Sequence, residues 1–164
     1  MCAATVVLAP SQFNRLEIDS EVISISQSTS MDMSQIRQET LHKFATENTV
    51  TDINDELEKL SVKAPSSHPV FKFLSAPARL EFLTAISLVQ NFEDLDVCPN
   101  YPVDDEGLPT STAAGNMADI QCYDNMSESM VEVTLMCGRA DQINNEMLPI
   151  TRHLKEAKEK SVKE

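Results

Sequence analysis

Apolar positions are sparse in the first part of the chain and dense after about residue 70. From Met33 to about Ser61 the sequence is polar and helix-friendly. Leu41 and Phe44, then Ile53, Leu57 and Leu60, recur at helical spacing. Asp52, just ahead of Ile53, is the expected N-cap. Ala64–Pro69 (APSSHP) is a loop by its Pro and Ser content. Ser75, with Pro77 in the first turn, predicts a helix running to about Phe92, with Leu80, Leu83, Ser87 and Leu88 as its apolar stripe. Val97–Pro102 follows as a short extended piece, Asp104–Gly107 as a turn and Ser111–Asn116 as a small-residue loop.

Two alternating stretches come next. Ala118–Tyr123 puts Asp119, Gln121 and Tyr123 on one face and Ile120 and Cys122 on the other. Met130–Met136 puts Val131, Val133 and Leu135 on one face and Glu132 and Thr134 on the other. Polar Asp124–Ser129 suits the loop of a hairpin. After Gly138 a helix is expected from about Asp141 to the charged end, interrupted at Pro149. The pattern predicts an N-terminal segment, 1–69, partly helical and poorly ordered, and an α/β unit over 70–164 that stops before a closing strand.

Composition narrows this only a little. With 41% apolar residues the chain of 164 can bury a core, filled by Leu, Val, Ile and Met rather than by its six Phe, two Tyr and no Trp. Four cysteines show no CxxC spacing, so a zinc site is not expected; Cys122 and Cys137, in apolar runs, read as small core residues. The apolar stretch Cys2–Pro10 is too short to span a membrane, and a soluble, cytoplasmic protein is expected. Net charge is −13, from 26 acidic and 13 basic residues. That balance disfavours unaided binding to nucleic acid, which runs on Lys and Arg. It suits either a cleavage module delivered by a basic partner or a protein-interaction segment.

The candidate chemistry is Asp119 and, thirteen residues later, Glu132. Paired as a hairpin, the two strands would bring these carboxylates together as a hard-oxygen site for Mg²⁺. An amphipathic hairpin with its acids facing water explains the same spacing. Asp104, Asp105 and Glu106 are explained by a turn before Gly107.

Five segments in order carry a resemblance: Pro77–Thr84 (PARLEFLT), Pro99–Pro109 (PNYPVDDEGLP), Ala118–Tyr123 (ADIQCY), Val131–Leu135 (VEVTL) and Pro149–Leu154 (PITRHL). They resemble the catalytic domain of the AlwI-type restriction endonucleases, which include type IIS and nicking enzymes. The resemblance implies a PD-(D/E)xK core of α-β-β-β-α plan, here lacking the last strand, and a Mg²⁺-dependent phosphodiesterase acting on double-stranded DNA. It implies Asp119, Glu132 and Glu81 as metal ligands, with Glu146 and His153 on the following helix facing the site. Arg152, and with less reason Arg139, are candidates for phosphate contact; either could instead pair with a nearby acid. Ala118 stands where the superfamily has proline. Thr134 replaces the lysine of (D/E)xK, and a hydroxyl cannot stabilise an attacking hydroxide as an ammonium does. Recognition would lie in another domain or in a second nuclease subunit. A non-catalytic nuclease remnant serving as an interaction subunit is the alternative.

Overall fold

The structure, a computed structural model, describes residues 32–145, 147 and 150–155. Two helices open it. α1 (Met33–Glu47) starts at Asp32, whose side chain accepts from Ser34 N. α2 (Val50–Ser61) starts at Thr49 rather than at Asp52. Asp52 is the third helical residue, and it closes a capping box with Thr49 that satisfies two amides otherwise left without partners. A short 3₁₀ turn, Phe71–Phe73, leads to α3 (Ala76–Asn91). Ser75 is its N-cap, as expected, but makes no side-chain capping bond.

α3 packs on α1, α2 and the first strand. Its buried side chains include Ala78, Phe82, Leu83, Ala85 and Ile86, so the burial is broader than the predicted Leu80–Leu88 stripe. The rings of Phe44 and Phe82 meet edge-on at 5.2 Å, and Phe82 meets Tyr101 at 5.9 Å. Leu41, Phe44, Ile53 and Leu60 belong to the same core as Phe82, Ile120 and Cys122. The core therefore runs across the expected boundary at 69/70. The sparse apolar residues of α1 and α2 are enough, because a two-sided α3 offers each helix a surface to cover.

β1 (Asp96–Pro99), β2 (Ile120–Tyr123) and β3 (Glu128–Val131) form an antiparallel sheet in that order. Val97, Ile120 and Cys122 are buried. The β2–β3 turn is tighter than predicted: Asp124 N donates to Ser127 O, and Asp124 Oδ1 takes the amides of Met126 and Ser127 at 2.7 Å. Glu128 and Ser129 thereby join the strand. The expected strand Met130–Met136 ends at Val131, because Val133 N donates to the Asp119 side chain and not to a ladder carbonyl. Cys137, expected in the core, is exposed on the irregular chain this leaves. α4 (Arg139–Asn145) follows, and 150–155 are helical. Among the described residues no helix is long and apolar enough to cross a membrane.

The Asp104–Gly107 turn is tied down at both ends. Thr40 Oγ1 on α1 donates to Glu106 O at 2.8 Å, and Gly107 lies at φ +79. A Cβ there would stand 2.2 Å from Thr40 Oγ1 and 2.8 Å from Ile36 O. Gly107→Ala is expected to destabilise the fold by about 2–4 kcal/mol, from left-handed strain plus overpacking. Urea denaturation checks this, and a loss under about 0.5 kcal/mol, the ordinary surface value, would refute it.

Candidate active site

Glu81 lies within the buried part of α3, one residue before Phe82, and is 4% exposed. A carboxylate in such a place must find donors. Its Oε2 accepts from Ala113 N at 2.9 Å, from the loop that crosses above the helix. Burial pushes its pKa up, to about 7; the Ala113 amide opposes the rise, while the negative charges of Asp119 and Glu132 add to it. The amide of Ala113, in a loop of small residues, has no signal in the sequence.

Asp119 immediately precedes β2 and Glu132 immediately follows β3. Ile120 pairs with Val131, so the antiparallel register, carried one residue further, sets Asp119 opposite Glu132. Backbone bonds hold this end of the sheet: Asn100 N donates to Asp119 O at 2.9 Å, and Asn100 Nδ2 to Ala118 O at 2.8 Å. Asp119 Oδ2 accepts from Val133 N at 2.8 Å. Glu132 Oε1 lies 2.6 Å from His153 Nδ1. His153 is 6% exposed, and its Nε2 is buried without a partner among the described residues.

Glu81, Asp119, Glu132, Thr134 and His153 all line one open cleft of about 470 Å³. Five of the expected positions therefore meet, drawn from α3, the two strand ends and the last helical segment. The pairing of His153 with Glu132 is more specific than the resemblance, which implies only that His153 faces the site. Thr134 Oγ1 accepts from Met136 N at 3.1 Å, which orders the irregular chain after β3. Arg152 is exposed, and its guanidinium donates to Gly115 O on the cleft wall. Arg139 is exposed at the start of α4 and is not among the lining residues. Glu146 lies outside the described residues.

Carboxylate oxygens are the hard donors that a divalent cation such as Mg²⁺ takes, and three carboxylates line this cleft. The mutual repulsion that helps lift Glu81 is the electrostatic sign of a site short of positive charge. The set is open, however. Among the described residues no three His, Cys, Asp or Glu side chains are gathered closely enough to hold an ion as they stand. Asp119 and Glu132 are turned instead to Val133 N and His153.

No curated protein matches the sequence. Among solved structures, the small subunit of the heterodimeric restriction endonuclease R.BspD6I is similar, with a TM-score of 0.54 and 25% identity. The likeness covers 68% of this chain and 54% of that subunit, so the chain spans about half of that protein's length. The family profile described as AlwI restriction endonuclease matches residues 11–164. That match takes in all three strands and every residue lining the cleft, and the chain belongs to the AlwI restriction endonuclease family.

Proposed function

We propose that the chain is the catalytic part of a restriction endonuclease, a Mg²⁺-dependent phosphodiesterase of PD-(D/E)xK type. It would cut double-stranded DNA delivered by a recognition domain or by a second, more basic subunit. One observation carries this reading: Glu81, Asp119 and Glu132, from separate elements, line a single cleft around a buried carboxylate. That the similar structure is the small subunit of a heterodimeric restriction endonuclease supports the division of labour.

Glu81, Asp119 and Glu132 would hold the cation, which when bound supplies positive charge to the scissile phosphate and its attacking water. The remaining work falls to the chain. The His153 contact fixes the side chain of Glu132, as outer partners of metal ligands commonly do. Asp119 holds the peptide of Val133, and so the path of the segment carrying Glu132 and Thr134. Thr134 brings no charge where the superfamily has lysine. Arg152, tied to Gly115 O on the rim, is the cation placed to meet a phosphate at the mouth.

The open carboxylate set favours a second reading, an interaction subunit that does not cut. Plasmid nicking with Mg²⁺, beside a full-length relative, separates the two. Under the first reading Asp119→Ala and Glu132→Gln abolish nicking, and Thr134→Ser keeps most of it. His153→Gln costs about ten- to a hundredfold, the usual effect of losing an outer partner. Absence of cleavage together with absence of saturable Mg²⁺ binding in calorimetry would overturn the first reading and favour the second.

Glu81 adds a pH test that needs no turnover. Its folded-state pKa is raised to about 7 from the ordinary 4.5, so the folded chain binds the proton more tightly than the unfolded one. The stability this gives is complete below pH 4.5 and is lost as pH rises through 7. Glu81→Gln has no such loss. Its stability relative to the parent is expected to rise between pH 4.5 and 7 and then level off, in urea melts without Mg²⁺. Added Mg²⁺ at pH 8 is expected to stabilise the parent more than Glu81→Gln. A pH-independent difference would contradict the buried, repelled carboxyl; equal Mg²⁺ effects would contradict Glu81 as a ligand.

A further inference from the structure

A second cavity, of about 510 Å³, adjoins the cleft and is bounded by α2, α3 and the chain after β3. The two share Leu80, Thr134 and Leu135 as walls. Leu57, Leu60, Leu80 and Leu135 make this groove largely apolar. The charged residues lining it are Lys63 and Arg79, with no acid among the described lining residues. In a chain with twice as many acids as bases, this is a local inversion of charge.

Arg79 is 6% exposed, and its Nε is buried without a hydrogen-bond partner among the described residues. A buried charged donor left unmatched is costly. Glu56 feels the charge of Arg79 but does not satisfy it. Its Oε1 takes Lys59 Nζ at 2.6 Å; against the burial that would raise its pKa, Lys59 and Ser66 hold it down; and it lines a different cavity. Lys63 stands at φ 56 just after α2, a position where glycine is usual, and brings a second positive charge to the rim.

The groove therefore asks for aliphatic surface and one anionic acceptor. A DNA backbone fits less well, because phosphates are met by exposed side chains in polar surroundings. We propose that the groove seats an aliphatic segment of a partner protein that presents one carboxylate to Arg79. This concerns binding alone and holds whether or not the neighbouring cleft cuts DNA.

Cys137 is exposed and lines the groove, so its alkylation rate reports occupancy. The probe is a displayed library of short random peptides panned on the full chain. Selected peptides are expected to carry aliphatic residues around one Asp or Glu and to slow alkylation of Cys137. Arg79→Met keeps the buried stem and removes the charge, and is expected to weaken them about ten- to a hundredfold. Replacing the peptide's acid by its amide should do the same on the unaltered chain, which keeps the test valid if Arg79→Met misfolds. Ala76→Trp, from an exposed lining position in the first turn of α3, should block binding without disturbing the core. Failure to select binders overturns the proposal, as do binders lacking an acid, leaving Cys137 unshielded or tolerating Arg79→Met. Short duplex DNA that shields Cys137 in the parent and not in Arg79→Met would overturn it in favour of a phosphate site.

Discussion

The pairing of Ile120 with Val131 is the constraint on which the cleft depends. Asp119 and Glu132 each lie one residue beyond that pair, so the same register that buries Ile120 and Cys122 sets the two acids opposite each other. A slip of one residue would carry Ile120 and Cys122 out of the core. The cost of exposing them, more than any attraction between the acids, locks the arrangement. Core burial on one face thus positions like charges on the other. The ladder then ends because Asp119 supplies the acceptor for Val133 N, which frees the following residues to curve along the cleft.

Glu81 reaches the same cleft from the opposite layer. α3 is covered by α1, α2 and the first strand, so a carboxylate at this position is left the cleft as its one outlet and is 4% exposed there. The helix cannot shift away without opening contacts around Phe44 and Phe82. A charge-poor environment, one amide from Ala113 and two nearby carboxylates are therefore imposed on Glu81 by the fold. This is the usual signature of a group kept for a purpose other than stability, because hydrophobic residues at such positions stabilise as well or better.

The strands and the register were legible where side chains alternate without competition: Ile120 and Cys122 inward, Asp119 opposite Glu132. The pattern overran after Val131, because alternation in Val131–Leu135 cannot reveal that a side chain will replace a backbone acceptor. Thr49 escaped notice as a cap, since Asp52 looks equally suitable until the reciprocal bond between them is seen. α1 and α2 looked weakly ordered because their few apolar residues gain their value only from a partner helix buried on several sides. The depth of Glu81 was hidden for the same reason. His153 was picked out by the resemblance, as a residue on a helix facing the site, while its partner Glu132, 21 residues away in sequence, was not.

The distribution of charge bears on how such a cleft could meet DNA. The chain carries −13, and no Lys or Arg is among the described residues lining the cleft. Arg152, on the rim, donates to Gly115 O, and His153 faces Glu132. Two negative surfaces repel over about a Debye length, roughly 8–10 Å at physiological salt, so at that range the single Arg152 on the rim does not offset the acids of the chain. The proposed cation would add attraction only locally. It cannot steer a duplex from a distance, which requires a basic surface on another domain or subunit. The net charge of the chain thus agrees with the proposed division of labour, in which the charge that recognises DNA would lie on another domain or subunit.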